Sequence, residues 1–97
     1  MAQFTVAPKA RRDITEIWKY IAQDSVGHAI RWRERLYELF VLLAAQPRIG
    51  MPSDEMKPGI RRFPFGNYLI YYRITRRGIQ IVHVLHGKRD QRRAFEQ

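Results

Sequence analysis

The residues with the clearest chemical potential in this sequence are basic side chains in its second part. Residues 57–97 carry ten basic and two acidic side chains, whereas residues 1–56 carry eight basic and seven acidic ones. The formal net charge of +9 is therefore concentrated in the second part. This predicts an acidic partner, such as nucleic acid, an acidic protein or an anionic membrane. The basic set comprises Arg61, Arg62, Arg73, Arg76, Arg77, Lys88, Arg89, Arg92 and Arg93.

Other kinds of catalytic or metal site find little support in the residue pattern. The sequence has no cysteine, which rules out disulfides and thiolate ligands. His83 and His86 have an odd spacing that places strand residues on opposite faces, so no metal site is expected and His83 is interpreted as a partly buried strand residue. No Gly-x-Ser-x-Gly turn or phosphate-binding glycine loop is present. The acidic residues of the helices, Asp13 among them, are interpreted as lying on solvated faces or in ion pairs with residues four positions away, and no cofactor is expected.

Two consecutive helices are predicted in the first half of the chain. Apolar residues recur at helical spacing between Ala10 and Ile21 and predict a helix that ends near Asp24. Ser25 is placed to cap a second helix, which is expected to continue to Gln46. The second helix has two apolar stripes, more than one packing face requires, which indicates either deep burial or a partner surface.

The remaining regular segments are predicted to be strands. Gln3 to Val6 predicts a short first strand, and three more are expected after a loop, at about 60–64, 68–75 and 79–86. The short turns between the later strands favour an antiparallel meander, and the basic tail is expected to form only a brief helix. The expected fold is α+β in strand–helix–helix–three-strand order, with a helical hairpin on one face of a small antiparallel sheet. A chain of 97 residues is expected to form one domain, 1–97.

Several segments, taken in order, resemble a known family. Residues 9–21 (KARRDITEIWKYI) resemble the first helix of ParE toxins, and residues 46–52 (QPRIGMP) resemble the loop after their second helix. Residues 59–63, 68–73 and 81–89 resemble the later strands of these toxins. The resemblance extends over nearly the whole chain, from Phe4 to Phe95, and indicates the RelE/ParE toxin–antitoxin superfamily.

This resemblance implies a function and a partner. Members are small βααβββ toxins encoded beside an antitoxin, which has a DNA-binding N-terminal part and a C-terminal segment that wraps the toxin. ParE members inhibit DNA gyrase by trapping it on cleaved DNA. RelE members share the fold and cut mRNA on the ribosome.

The choice between the two targets depends on a few positions. Arg62 and Arg89 fall near basic positions of the RelE members, where they could hold RNA phosphate. Tyr68 stands about where a strand arginine is expected, and Phe95 stands near the position of a C-terminal tyrosine but has no proton to give. These departures favour a gyrase poison over a ribosome-dependent mRNA endonuclease, with a non-toxic nucleic-acid-binding module as a further alternative.

The basic residues are the candidates for target binding. They are expected to contact gyrase or its DNA: Arg61, Arg62, Lys88, Arg89, Arg92 and Arg93.

The expected antitoxin is acidic and ParD-like. It is expected to present an amphipathic helix to an apolar groove and a strand to an open sheet edge, forming a hetero-oligomer that contacts operator DNA indirectly through the antitoxin. The candidate residues are Trp18, Tyr20, Trp32, Leu36 and Tyr37, although core packing competes as an explanation, most strongly for Leu36. No apolar run has membrane-spanning length and no signal-peptide core precedes the first strand, so a cytoplasmic location is expected.

Overall fold

The computed structural model describes residues 3–89 and 91–96, so the two ends of the predicted 1–97 domain and Asp90 of the tail lie outside the described residues. The elements are β1 (Gln3–Val6), α1 (Pro8–Asp24), α2 (Val26–Ala45), β2 (Met51–Pro52), β3 (Ile60–Phe65), β4 (Tyr68–Ile74), β5 (Gly78–His86) and α3 (Gln91–Glu96). The predicted α+β fold and its strand–helix–helix–three-strand order are confirmed. The brief tail helix is present as α3, and β2 is an addition that the sequence did not predict.

A single serine joins the two long helices into a hairpin. The backbone amide of Ser25 donates to the Ile21 carbonyl at 3.1 Å, which completes the last turn of α1. Its hydroxyl accepts a hydrogen bond from the His28 amide at 3.1 Å, which caps the start of α2. Because one residue both ends α1 and caps α2, the two helices run side by side.

The five strands form one sheet in the order β1-β5-β4-β3-β2. The neighbours β2–β3, β3–β4 and β4–β5 pair antiparallel, as the short turns predicted, but β1 pairs with β5 in parallel. The sheet is therefore mixed. The connection between the parallel strands β1 and β5 contains the helical hairpin and the strands β2, β3 and β4. Gly78 is required at this junction, since a Cβ there would collide with the backbone of Gln3.

The helical hairpin covers one face of the sheet and forms the main core. Phe40 is completely buried and makes edge-to-face or tilted ring contacts with Phe4 and Tyr37, with centroids 5.5 and 5.1 Å away. Burial of each large apolar side chain contributes about 1.5–3 kcal/mol. The buried members of this helix-side core are Ala10, Ile14, Leu36, Phe40, Leu43, Ala44, Ile70, Tyr72, Ile79, Ile81 and Val84.

The opposite face of the sheet carries a second, smaller apolar cluster that the sequence analysis did not predict. Its buried members are Ile60, Tyr71, Leu85 and Ala94, and partly buried Met56, Leu69, Val82 and Phe95 pack against them. Two of these residues, Ala94 and Phe95, belong to α3, so this short helix lies on the outer face of the sheet.

A bulge in β5 changes which residues of this strand face each of the two cores. Tyr71 pairs with His83 and Tyr72 pairs with Ile81, so the register shifts by one residue between them. The extra residue allows Ile81 and Val84 to lie in the same helix-side core although their spacing is odd.

Among the described residues, no helix has the length and apolar character needed to cross a membrane.

Candidate functional site

A groove lies between the two long helices and the edge strand β1. Its volume is about 1130 Å³, slightly above the usual range for ligand sites. The floor and walls are mainly apolar, and charged side chains lie around them. The lining residues are Phe4, Thr5, Val6, Arg11, Ile14, Thr15, Trp18, Lys19, Ile30, Arg33, Glu34 and Tyr37.

Two properties of this groove favour a peptide ligand. Strand β1 is the last strand of the sheet on its side, so its outer edge is open to pairing with another strand. The charged lining residues are three basic side chains and one acidic one, which favours a partner with acidic groups. The guanidinium of Arg33 also lies over the Tyr37 ring, 5.1 Å from its centroid, which holds this side chain at the groove.

The structure divides the five residues that were predicted to contact an antitoxin. Trp18 and Tyr37 line the groove. Leu36 is completely buried in the helix-side core, as its competing packing explanation proposed, and Tyr20 is 70% exposed but does not line the groove.

Trp32 lies away from the groove and packs against two aromatic rings at the β3–β4 turn. Its ring centroid is 6.2 Å from that of Phe65 and 5.8 Å from that of Tyr68. The Trp32 side chain therefore has a packing role, and its buried indole Nε1 has no hydrogen-bond partner among the described residues.

The neighbouring residues Arg61 and Arg62 lie on opposite faces of the sheet, because successive strand residues alternate. Arg61 pairs with Tyr72 on the helix side. Its Nη1 donates to the Gly50 carbonyl at 2.6 Å and to the Arg48 carbonyl at 3.4 Å. Arg61 and Arg62 therefore face different sides of the sheet, and Arg61 holds the loop that follows α2.

Tyr72 holds the same loop from the core. Its hydroxyl donates to the Pro47 carbonyl at 2.8 Å and accepts from the Gly50 amide at 2.9 Å. A Cβ at Gly50 would collide with this hydroxyl, so glycine is required where the loop approaches the ring. Burial raises the pKa of Tyr72, so the hydroxyl stays protonated as a donor at neutral pH.

Arg62 forms a polar cluster on the outer face of the sheet. Its Nη1 lies 3.1 Å from Glu55 Oε1 and 3.3 Å from Ser53 Oγ. The Ser53 hydroxyl in turn donates to Glu55 Oε1 at 2.8 Å. Hydrogen bonds from the backbone amide of Glu55 and from Ser53, followed by the Arg62 charge, lower the pKa of the Glu55 carboxyl. Arg62 is thus bound to a carboxylate of its own chain.

Asp13 links α1 to the outer face, and its interpretation as a solvated helix residue is wrong. Strand β1 pairs with β5 only as far as Ile81. Beyond that point the Asp13 carboxylate accepts a hydrogen bond from the Val84 amide at 3.1 Å and lies 2.7 Å from His83 Nδ1. Asp13 therefore takes the place of a pairing strand, and the interpretation of His83 as a buried strand residue is confirmed.

Phe95 of the C-terminal helix α3 packs over His83 on the outer face of the sheet. Its ring packs edge-on against His83 and Tyr71, with centroid distances of 4.9 and 5.0 Å. Sequence reasoning could not find this arrangement, because Asp13, His83 and Phe95 come from three distant segments. Among the described residues there is no group of three or more His, Cys, Asp or Glu side chains able to hold a metal ion.

The remaining basic residues occupy two ends of the sheet. Arg73, Arg76 and Arg77 lie at or next to the β4–β5 turn, where β5 begins, and Arg73 donates to the Gln80 side chain at 2.8 Å. Strand β5 then extends for nine residues, roughly 25–30 Å, before the second group begins. That group is exposed and consists of Lys88, Arg89, Arg92 and Arg93. The basic set that the sequence suggested is therefore divided: two patches lie at opposite ends of β5, and Arg61 and Arg62 lie on the two faces of β3.

Comparisons with known proteins indicate one family. A family model described as "ParE toxin of type II toxin-antitoxin system, parDE" matches residues 4–91. "Toxin ParE1" of Mycobacterium tuberculosis is 33% identical over 91 residues, which cover 92% of this chain and 93% of that protein. "Toxin ParE1" of Caulobacter vibrioides is 28% identical over 93 residues, which cover 95% and 96% of the two chains.

The fold is also similar to that of a solved structure titled "Chromosomal ParDE TA system from P. aeruginosa". The TM-score is 0.73 and the sequence identity is 22%, over 89% of this chain and 96% of the other. The resemblance noted in the sequence is confirmed by the family match over nearly its full length. The chain belongs to the ParE toxin family of type II toxin–antitoxin systems.

Proposed function

We propose that this chain is a non-enzymatic poison of DNA gyrase, which it holds on cleaved DNA, and that an acidic ParD-like antitoxin neutralises it. Membership in the ParE family carries the proposal. The environment of Phe95 supports a mechanism without catalysis: the ring that stands near the C-terminal tyrosine of RelE members is packed on Tyr71 and His83 and has no proton to donate.

The basic patch after β5 is the proposed surface for gyrase or its DNA. Lys88, Arg89 and Arg92 are exposed, and arginine side chains bind phosphate or carboxylate groups through paired hydrogen bonds. Both target and chain would then meet in the cytoplasm, where gyrase acts.

The groove beside β1 is the proposed antitoxin site. An amphipathic helix of the antitoxin would place apolar side chains against Trp18 and Tyr37, and an extended segment would pair with the open edge of β1. The toxin would contact operator DNA only indirectly, through the DNA-binding part of the antitoxin in the hetero-oligomer.

The gyrase proposal is tested with purified toxin, gyrase and supercoiled plasmid. Linear plasmid released after detergent and protease treatment reports trapped cleavage complexes, and addition of the antitoxin should abolish it. If folded toxin produces no linear DNA but mRNA is cleaved in a translation reaction, the ribonuclease alternative replaces this proposal. Salt-dependent nucleic-acid binding with harmless overexpression would favour the non-toxic binding module.

Two matched triple variants test the tail patch. Replacement of Arg89, Arg92 and Arg93 by alanine should abolish the trapping of gyrase. The control replaces Arg73, Arg76 and Arg77, which removes the same charge from the other end of β5 and should leave most of the activity. Equal activities for the two variants would remove the tail from the proposed site.

A second pair of variants tests the groove. Trp18→Glu should weaken antitoxin binding strongly, because it places a charge in an apolar groove, whereas Tyr20→Glu, outside the groove lining, should bind nearly as the wild type does. Isothermal titration with the antitoxin measures both. Equal losses would argue against the groove as the binding site.

A further inference from the structure

Two side-chain donors converge on one carboxylate oxygen at the outer face of the sheet. Glu55 Oε1 accepts a hydrogen bond from the Ser53 hydroxyl at 2.8 Å and one from Arg62 Nη1 at 3.1 Å. The backbone amide of Glu55 is the largest cause of the lowered pKa of this carboxyl, followed by the Ser53 hydroxyl. A guanidinium and a hydroxyl that meet at one oxygen are the kinds of donor that bind an oxyanion.

The donors are held in place by the surrounding structure. Ser53 is completely buried, and its Oγ lies 3.3 Å from Arg62 Nη1. Arg62 is directly opposite Tyr71 in the β3–β4 register. Burial raises the pKa of Tyr71, while the Arg62 charge lowers it and the Glu55 charge raises it, so the Arg62–Glu55 pair lies close to this tyrosine.

The carboxylate, in contrast, is not needed to hold its loop. The Ser53 amide donates to the Ile60 carbonyl at 2.7 Å, and the Met56 amide donates to the Ser53 carbonyl at 3.0 Å. Asp54 accepts a hydrogen bond from the Gly59 amide at 2.9 Å. These contacts fix the loop independently of the Glu55 side chain, which is 47% exposed.

A half-exposed ion pair of this kind is weak, because solvent screens it and two side chains lose conformational freedom to form it. An external anion that offers more oxygens can therefore compete for Arg62 and Ser53. The excess of positive charge in residues 57–97 attracts such an anion to this part of the molecule.

We propose that Arg62 and Ser53 form a binding site for a backbone phosphate of nucleic acid, and that the Glu55 carboxylate occupies this site in the free protein until the phosphate displaces it. The Glu55 carboxylate thus lowers the affinity of the chain for nucleic acid. This inference does not depend on the proposed action against gyrase, since it concerns the affinity of the chain for nucleic acid alone.

The test measures binding of the full chain to a fluorescein-labelled 12-base-pair DNA duplex by fluorescence anisotropy over a range of salt concentrations. Glu55→Gln removes the competing charge, and Glu55→Asp keeps the net charge but shortens the side chain so that it no longer reaches Arg62. Glu38→Gln is the matched control, because it makes the same charge change at an exposed position of α2. Arg62→Gln is combined with each background.

We expect Glu55→Gln to raise the affinity by about fivefold, the upper range for release of a surface ion pair, and Glu55→Asp to raise it by a smaller factor. Glu38→Gln should change it by less than twofold. In the Glu55→Gln background the slope of log affinity against log salt should become steeper by about 0.9, the value for one additional phosphate contact. Arg62→Gln should remove both effects.

The proposal is overturned if Glu55→Gln and Glu38→Gln bind the duplex equally, or if Arg62→Gln has the same effect in both Glu55 backgrounds. It is also overturned if Glu55→Gln gains affinity for a polyglutamate peptide but none for the duplex, because the site then accepts carboxylates. Circular dichroism of each variant confirms that the fold is retained. The assay contains neither gyrase nor antitoxin, so its failure is distinguishable from failure of the proposed function.

Discussion

The two faces of the sheet differ in what covers them. Among the described residues, the helix side is covered by the α1–α2 hairpin and its core cluster has eleven buried apolar residues. The outer side is covered by a helix of six residues and its cluster has four. Arg62, Glu55 and Arg73 also lie on or beside the outer face. Stability is therefore concentrated on one face, which leaves the other able to carry charged groups that bind a partner.

Removal of the Phe40 ring from the helix-side core should cause the largest loss of stability. Phe40→Ala should lower the free energy of unfolding by about 3–5 kcal/mol, since a fully buried ring is lost and a cavity remains. Domains of this size have a total stability of roughly 5–15 kcal/mol, so the variant should be close to unfolding. Urea denaturation measures the change, and a loss below that of the outer-face variants would contradict the assignment of stability to the helix side.

The adjacent residues Tyr72 and Tyr71 allow the two faces to be compared within one strand. Tyr72→Phe should cost about 2 kcal/mol, because the Gly50 amide and the Pro47 carbonyl each lose a hydrogen bond. Tyr71→Phe removes the corresponding atom on the outer face, a hydroxyl with no hydrogen-bond partner among the described residues, and should cost less than about 0.5 kcal/mol. Thermal unfolding of both variants tests the difference, and equal losses would show that the outer face depends on its hydroxyl as well.

Phe95→Ala tests how firmly α3 is held. The ring is only partly buried, so its removal should cost about 1 kcal/mol, less than a core phenylalanine. Hydrogen exchange should become faster in α3 while that of β4 changes little. If exchange in β4 rises equally, α3 is part of the same cooperative unit as the core.

The smallest expected effect concerns Glu55 and depends on pH. The pKa of Glu55 in the folded chain lies below its usual value of 4.5, so the carboxylate stabilises the fold above the unfolded-state pKa, and this contribution disappears as the pH falls through the folded-state value. Wild type should therefore be slightly more stable than Glu55→Gln at pH 7, and the two should converge below pH 4.5. A difference that grows in acid would contradict the lowered pKa.

Local patterns were sufficient to predict the long elements. Helical spacing before Asp24 and the position of Ser25 defined the hairpin, because both signals act within a few residues. The two-residue strand β2 was not predicted, since Met51 and Pro52 gain their pairing from β3 and have no alternation of their own.

The candidate sites were harder to predict because they depend on distant contacts. Strand alternation alone could have separated Arg61 from Arg62. The contact between Asp13 and His83, in contrast, joins residues 70 positions apart, and no local signal indicates it. Trp32 and Trp18 have similar apolar surroundings in the sequence, but the phase of their helices directs them to different parts of the fold.

The parallel pairing of β1 with β5 has a consequence for the order of biosynthesis. Gln3 pairs with Gly78, so the first strand emerges from the ribosome long before its partner exists, and such non-local contacts form late in folding. The lining of the groove comes from β1, α1 and α2, but β1 has no strand to pair with until β5 has been translated. A nascent chain interrupted before Gly78 has neither the β1–β5 pairing nor the basic residues after β5, which should make incomplete translation products harmless to the cell that produces them.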